Sequence, residues 1–458
     1  MNRTGYERLR AAHLDAVQAA LDDHVGRLDW SAEQIRAHRD RRLRSLLAYA
    51  HERSPFYAER LRGVDLAEPD LASIPILTKA EAQGCWDAIV TTPDLNREAA
   101  ERILNEQPWF SYTSHDEQVF SSGGSSGVRG VYVWDWQFFI TTACLAWRMQ
   151  ARDERRGQSV PDARLAVLTA GVPPHASTPL FDVPTVAGMT TVVIEAGAPF
   201  DEVLAAVKRF APTHLVGYAS VIGRLARASL SGDLEIRPSR VSTNSEPLLP
   251  EDREAIVNAW PTTLHNLWGS TELGVQAVSC GHGPGLHICE DEVILERVDA
   301  AGTPVAPHEP AVRTLATGLS NRTFPFIRYD LGDDITLLSE PCPCGSAFAR
   351  VADISGRHDD DFVYGSYSVP ASAFRHVLGT DPRIVEYQVV QTDGGVDVLV
   401  VATADVQSLI PALVSAMQRH GVTSPSIQMR TVESLDRHQA SGKLKRFVPL
   451  PDSAGSTE

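Results

Sequence analysis

Lysine is scarce in this 458-residue chain: of 42 basic residues only Lys79, Lys208, Lys443 and Lys445 are lysines. An arginine-biased composition explains the scarcity, and it draws attention to each lysine that is kept. No apolar run reaches the roughly eighteen residues that a membrane-spanning helix needs, and Met1–Arg10 is polar and charged where a secretory signal would be apolar. The expectation is a cytoplasmic protein with no membrane partner. A formal net charge of −16 excludes coating of nucleic acid through a global positive field, though not a local basic pocket for a nucleotide. Six cysteines in such a chain do not read as a disulfide framework. No Gly-Lys-Ser/Thr closes a glycine-rich loop, which excludes a Walker A site. No G-x-G-x-x-G turn follows a strand, which argues against a dinucleotide-dependent oxidoreductase.

What is present has a clear order. The length exceeds what one compact core holds, so two or more domains are expected. The first hundred residues have helical spacing: Arg36–Ala50 carries Leu43, Leu46, Leu47 and Ala50, and Ser54-Pro55 stops it. From Arg164 onward the runs RLAVLTAGV, TTVVIEAG, THLVGYAS, RVSTNSE and TTLHNLWG read as strands. Between them Asp201–Phe210, Val221–Leu230 and Pro250–Trp260 read as helices. This alternation predicts an α/β fold with helix-covered, largely parallel sheets, whose ligands sit at the carboxyl ends of the strands. Beyond Gly356 the pattern changes to RIVEYQVVQ and VDVLVVATA around a Thr392–Gly395 turn, then a helix over Val406–Arg419 and a strand near Ile427–Val432. The expected division is a large domain over 1–355 and a small mobile α+β domain over 356–458.

Phe120–Gly130 reads FSSGGSSGVRG. Closely spaced glycines let backbone amides turn inward and the serine hydroxyls add donors, so this segment can wrap a polyphosphate. Two further motifs, Ser245-Glu246-Pro247 and Trp268–Glu272 (WGSTE), fall at predicted strand ends, where a ligand is expected.

Together these stretches resemble the adenylate-forming superfamily, in the variant seen in phenylacetate–CoA ligase relatives. Ser122-Gly123-Gly124-Ser125-Ser126-Gly127 is similar to that family's phosphate-binding loop. Asn244-Ser245-Glu246-Pro247 resembles its adenine-contacting G-A-E-P, and Trp268-Gly269-Ser270-Thr271-Glu272 its aromatic-G-x-[ST]-E. Arg328–Asp333 (RYDLGD) resembles R-Y-x-T-G-D. Gly356–Asp360 with Gly365–Pro370 resembles G-R-x-D-D followed by G-x-N-V-F-P, and Ser441-Gly442-Lys443 resembles the terminal S-G-K. Ser54–Tyr57 (SPFY) and Ile74–Lys79 (IPILTK) look like the family's helical N-terminal region. The motifs follow in order along nearly the whole chain.

The resemblance implies roles that the chemistry of each residue suits. Glu272, an acid at a strand end, helps hold Mg²⁺ on the ATP phosphates. Asp333 accepts hydrogen bonds from ribose hydroxyls, with Asp330 a nearby competitor that can equally cap a turn. Arg357, always charged and fork-shaped, bridges ribose and phosphate, and Asp359 is the hinge between domains. Lys443 stabilises negative charge that builds on the phosphates as a carboxylate attacks. The implied reaction turns a small carboxylic acid and ATP into an acyl-adenylate and pyrophosphate, and then passes the acyl group to coenzyme A. A carrier-protein thiol or an amine is the alternative acceptor, and a catalytically inactive nucleotide-binding scaffold is the alternative from another class. The family makes a homodimer plausible and favours an aryl or arylacetic acid, with Trp109, Phe138, Phe139 and Tyr218 as candidate pocket aromatics.

Cys280, His287, Cys342 and Cys344 can form a tetrahedral structural zinc site of three thiolates and one imidazole. The sequence reads CGHGPGLH and then CPCG, with His282 and Cys289 as alternative ligands. The chain departs from the family in several places: Val128-Arg129 follows Gly127, Asn244-Ser245 replaces Gly-Ala, and Trp268 replaces the commoner tyrosine. GSYSVP also lacks the family's asparagine and phenylalanine.

Overall fold

A computed structural model describes residues 3–106, 112–113, 115–122, 130–170, 175–176, 180, 189–307, 309–354, 360–381, 383–437 and 442–450. The N-terminal region is helical. The helix Ala32–Arg53 opens one turn before the expected Arg36, because Ser31 and Gln34 form a reciprocal capping box. It buries Leu43, Leu46, Leu47 and Ala50, and Ser54 then caps the following helix Pro55–Arg60 by accepting from the Tyr57 amide. Tyr57 is wholly buried. Its hydroxyl donates to the Pro325 carbonyl at 2.8 Å and accepts from the Ile327 amide at 3.3 Å, so the N-terminal helices fix the segment that leads into Arg328–Asp333.

The central sheet has nine strands. In spatial order they are Leu337–Leu338, Arg350–Val351, Leu286–Ile288, Gly274–Val278, Thr263–Ser270, Arg240–Asn244, His214–Tyr218, Arg164–Thr169 and Thr190–Glu195. The last five are parallel, as the alternation of strand and helix predicts. The first four join antiparallel, which the sequence did not reveal. For the reversal from Thr263–Ser270 to Gly274–Val278 the physical reason is connection length. Three residues separate Ser270 from Gly274, enough for a tight turn and far too few for the crossover a parallel pair requires.

Helices Phe200–Phe210, Ala219–Leu230 and Pro250–Ala259 cover one face of the parallel part, with Tyr218, Ile222, Leu225, Val241, Ile256 and Trp260 in the layer between. The other face packs on a larger core that includes the helix Trp136–Asp153 and the N-terminal helices. Burial on both sides explains why His214–Tyr218 and Gly274–Val278 are buried at every position.

A third core runs from Phe362 to Phe447. Its sheet orders Ser426–Thr431, Gly395–Ala402, Ile384–Thr392 and Phe447–Val448, with helices Ala371–Leu378 and Ile410–Arg419 alongside. Thr392 pairs with Gly395, so Asp393-Gly394 form a two-residue turn, as the sequence suggests. The second helix starts at Ile410, not Val406, because Pro411 sits in its first turn, where a missing amide costs nothing. Among the described residues no helix is long and apolar enough to cross a membrane.

Candidate active site

The carboxyl ends of the parallel strands face the third core across a cavity of about 580 Å³. It brings together Ser122, Ser245, Glu246, Pro247, the whole Trp268–Glu272 stretch, Asp333 and Lys443, drawn from five separate motifs. Asn244 is buried at the strand end beside Ser245. Gly123, Gly124, Ser125, Ser126, Gly127, Arg357, Asp359 and Trp109 lie outside the described residues.

Each motif is held by specific contacts. Arg328 is buried at φ +52°, and its guanidinium donates to the Ile74 carbonyl at 2.7 Å, the Gly302 carbonyl at 2.6 Å and the Glu296 carboxylate at 3.1 Å. Leu77 adds two backbone bonds, its amide donating to the Arg328 carbonyl and its carbonyl accepting from the Asp330 amide. The IPILTK segment therefore positions Arg328–Asp333. Asp330 accepts from the Gly332 amide at 3.2 Å and is a turn cap. Asp333 is the acid that faces the cavity, and its Oδ2 accepts from Trp268 Nε1 at 3.0 Å. A carboxylate has acceptor positions beyond that one bond. At the neighbouring strand end Ser245 is left-handed, φ +63°, a conformation a non-glycine residue adopts at a cost. Its hydroxyl donates to Asn244 Oδ1 at 2.8 Å.

Glu272 is nearly buried. Its Oε1 accepts from the Tyr132 hydroxyl at 2.6 Å and the Tyr329 hydroxyl at 3.3 Å. Burial, reinforced by the Glu272 charge, pushes the Tyr132 phenol far above its ordinary range, so it stays a neutral donor. Both hydroxyls converge on one oxygen, and a carboxylate presents a second with which to reach a cation.

Lys443 comes from the C-terminal region. It is half-buried, while Lys445 two residues on is exposed. Its ammonium stands 5.7 Å from the centroid of the Tyr218 ring. Gly442 has φ +65°, and a Cβ there would lie 2.7 Å from the Gly197 nitrogen. Glycine is thus required by both conformation and closeness of backbone. The two parts of the protein also meet through Arg446, which binds Asp252 at 3.0 Å while Asp252 holds Arg227 at 2.9 Å. Burial opposes the Arg446 charge, but Asp252, Tyr387, Glu386 and Glu251 together outweigh it and the pKa lies above the ordinary value.

Away from the cavity, the ligand atoms of Cys280, His287, Cys342 and Cys344 lie within 4.8 Å of one another. The Cys280 and Cys342 sulfurs are 3.5 Å apart, and Cys344 Sγ is 3.4 Å from His287 Nε2. Tetrahedral zinc with bonds of about 2.0–2.3 Å spaces its ligands at about 3.5–3.8 Å. His287 Nδ1 faces the Phe348 carbonyl at 3.2 Å, which selects the tautomer with Nε2 free for a metal. These residues fit zinc. His282 instead approaches Asp153 at 3.9 Å, and Cys289 is buried beside Arg148, which stands in the Arg27, Asp291 and Glu292 ion network. Neither is in the cluster.

Of the expected pocket aromatics, Tyr218 lies beneath Lys443 and Phe138 packs edge-on to Trp134, which lines the cavity. Phe139 belongs to a separate cluster with His13 and Arg10. Lys79 and His175, which no local motif marks as site residues, line the cavity, and Tyr132, equally unmarked, holds Glu272. Lysine scarcity was the available signal for Lys79: three of the four lysines, Lys79, Lys443 and Lys445, surround one cavity.

No family model matches the chain. It is 25% identical over 385 residues to a phenylacetate-coenzyme A ligase of Thermus thermophilus, covering 80% of each chain. The fold is that of 2-hydroxyisobutyryl-CoA ligase in the postadenylation state with 2-HIB-AMP: TM-score 0.69, 17% identity, 93% of this chain and 91% of that one. The same ligase in its thioesterification state, with 2-HIB-AMP and CoA, superposes less well, at 0.59 over 92% of this chain and 90% of that one with 17% identity.

Proposed function

We propose that this homologue of phenylacetate-coenzyme A ligase activates a small carboxylic acid with ATP and transfers the acyl group to coenzyme A. The observation that carries the reading is the meeting of Lys443, from the C-terminal region, with Glu272, Trp268 and Asp333, from the strand ends, around one cavity. Such a composite site suits a reaction in which charge develops on a polyphosphate enclosed between two domains.

The chemistry follows from these residues. A carboxylate oxygen attacks the α-phosphorus of ATP, the bond from that phosphorus to the bridging oxygen breaks, and pyrophosphate leaves. Lys443 opposes the charge gathering on the phosphate oxygens, a task for a compact ammonium in a partly dry site. Asp333 receives the ribose hydroxyls while Trp268 holds its orientation. Glu272, fixed by Tyr132 and Tyr329, would hold Mg²⁺, whose charge neutralises the ATP phosphates. In the second step the coenzyme A sulfur, having lost its proton, attacks the acyl carbon, and AMP departs with the electron pair of the broken anhydride.

Residues 1–355 form the body and 356–458 a mobile lid. In this reading Lys443 meets the phosphates while the lid is turned for adenylation, which its place on the cavity wall supports. The lid must turn away before a thiol can reach the acyl carbon. The zinc ligands would pin the Cys342–Cys344 loop to the edge of the central sheet. The relative named for phenylacetate and the aromatic wall at Trp134 support an aryl or arylacetic acid. The enzyme is proposed to work in the cytoplasm.

The test is a screen of arylacetic, benzoic and short aliphatic acids for ATP–pyrophosphate exchange, with coenzyme A then added to each acid that supports it. Exchange with an aromatic acid and thioester on adding coenzyme A is the expected result. Exchange with no acid would contradict the reading, and product with an amine but not coenzyme A would reassign the acceptor.

A further inference from the structure

The backbone on either side of Lys443 is held by two side chains that share one residue of the body. On one side, the Leu444 amide donates to Glu246 Oε1 at 3.0 Å, and Glu246 Oε2 accepts from the Ser220 amide at 3.0 Å. On the other, Arg437 Nη1 donates to the Gly442 carbonyl at 3.3 Å and faces Ser220 Oγ at 3.0 Å. Arg437 Nη2 is itself fixed by Glu386 Oε1 at 2.6 Å. Arg437 and Glu386 are almost fully buried, with side chains 9% and 2% exposed, so this is a desolvated, charge-assisted arrangement and not a surface ion pair.

Ser220 sits in the first turn of the helix Ala219–Leu230, where backbone amides lack helical partners and favour an anion. The Glu246 carboxylate fills that position with one oxygen and reaches the lid with the other. One fork from the body and one from the lid thus meet at Ser220, and the residue suspended between their grips is Lys443. The requirement for glycine at 442 has the same sense: the chain is pressed against Gly197 there, which leaves the segment little room to shift.

We propose that Ser220, Glu246 and Arg437 form a positioning clamp that holds the Gly442–Leu444 backbone, and with it the Lys443 ammonium, over the cavity. The Leu444–Glu246 and Arg437–Ser220 bonds cross between body and lid, so the clamp is complete only while the lid is docked in this orientation. The clamp rests on the adenylation reading for its catalytic meaning, and its existence is measured without it. Arg437 is a positioning residue, since it touches the lysine's backbone neighbour and not the reacting atoms.

Arg437→Met removes the lid's fork, with its bonds to the Gly442 carbonyl and the Ser220 hydroxyl, and Ser220→Ala deletes one hydroxyl with little risk to folding. Hydrogen exchange of the peptide containing Leu444 should accelerate about tenfold in Arg437→Met, with smaller acceleration in Ser220→Ala, while the Ile384–Ala402 hairpin keeps its protection. In ATP–pyrophosphate exchange Arg437→Met should lower kcat by about thirtyfold with KM for ATP changed less than about threefold, the cost of misplacing a group already within reach. Thioester formation from prepared acyl-adenylate should stay within about twofold. Unchanged protection at Leu444 in both variants would overturn the clamp, and so would equal losses in the two half-reactions. Should the wild type exchange pyrophosphate with no acid while Leu444 is loosened as expected, the clamp stands and the adenylation reading falls.

Discussion

Trp268 Nε1 and Asp333 Oδ2 are joined by a buried hydrogen bond of 3.0 Å across 65 residues of sequence. The bond ties the end of a central strand to the turn after Tyr329-Asp330, and it fixes the acid proposed to receive the ribose. A hydrogen bond to a charged group is worth about 1.5–3 kcal/mol. Trp268→Phe keeps an aromatic side chain and deletes the indole donor, so KM for ATP should rise by about tenfold or more. An unchanged KM would mean that Asp333 is held by other contacts or does not meet the nucleotide.

How much of this was legible in the sequence depended on distance along the chain. The strand ends carrying Ser245–Pro247 and Trp268–Glu272 were readable, because each motif directly follows an apolar run and strand-helix alternation dictates where such ends lie. Asp252 and Arg446 were not readable as a pair: 194 residues separate them, and nothing local marks either as a partner. The same holds for Tyr132, an ordinary strand tyrosine until the fold brings it against Glu272 140 residues later. For the four zinc-ligand candidates residue type was enough to form the list. The choice between His287 and His282 needed the fold, since both follow Cys280 closely and only His287 lies on the strand that faces Cys344.

Removing the charge of Glu272 tests its part directly. Glu272→Gln retains the bonds from Tyr132 and Tyr329 in shape but not in strength, and it withdraws the negative charge that attracts a cation. ATP-dependent activation should fall by about a hundredfold or more, the scale of losing one electrostatic stabiliser. Parental activity at limiting Mg²⁺ would make this acid structural.

Zinc should be measurable in the purified protein at about one atom per chain. Cys344→Ser should lower the melting temperature and soluble yield more than it alters the ranking of acid substrates, because the four ligands clamp a loop and do not line the cavity. Metal-free protein with full thermal stability would remove the site from the account.

Stability should also fall in mild acid. Burial, and then nearby arginine charge, lowers the histidine pKa from 6.5 to about 3 at His13, His24 and His265 and to about 4 at His214. Between pH 6.5 and about 4 the unfolded chain binds protons there that the folded chain refuses. The stabilisation is therefore complete above pH 6.5 and is lost as pH falls, by at most ~1.4 kcal/mol per pH unit for each histidine. Urea midpoints should be lower at pH 5 than at pH 7, and His265→Gln should flatten the dependence by about one proton. A midpoint that is equal or higher at pH 5 would contradict the assignment of these histidines as neutral and buried.

The central claim is that Lys443 serves adenylation and not thioester formation. Its segment reaches the cavity from the C-terminal region, where Glu246 holds Leu444 and Gly442 rests on Gly197. The decisive measurement is Lys443→Ala in the two half-reactions, with Lys445→Ala as the neighbouring-charge control. ATP–pyrophosphate exchange should fall by about 2–4 kcal/mol of transition-state stabilisation, roughly thirty- to a thousandfold, while prepared acyl-adenylate and coenzyme A should give thioester at close to the parental rate. Equal loss in both half-reactions, or loss in neither, would contradict it.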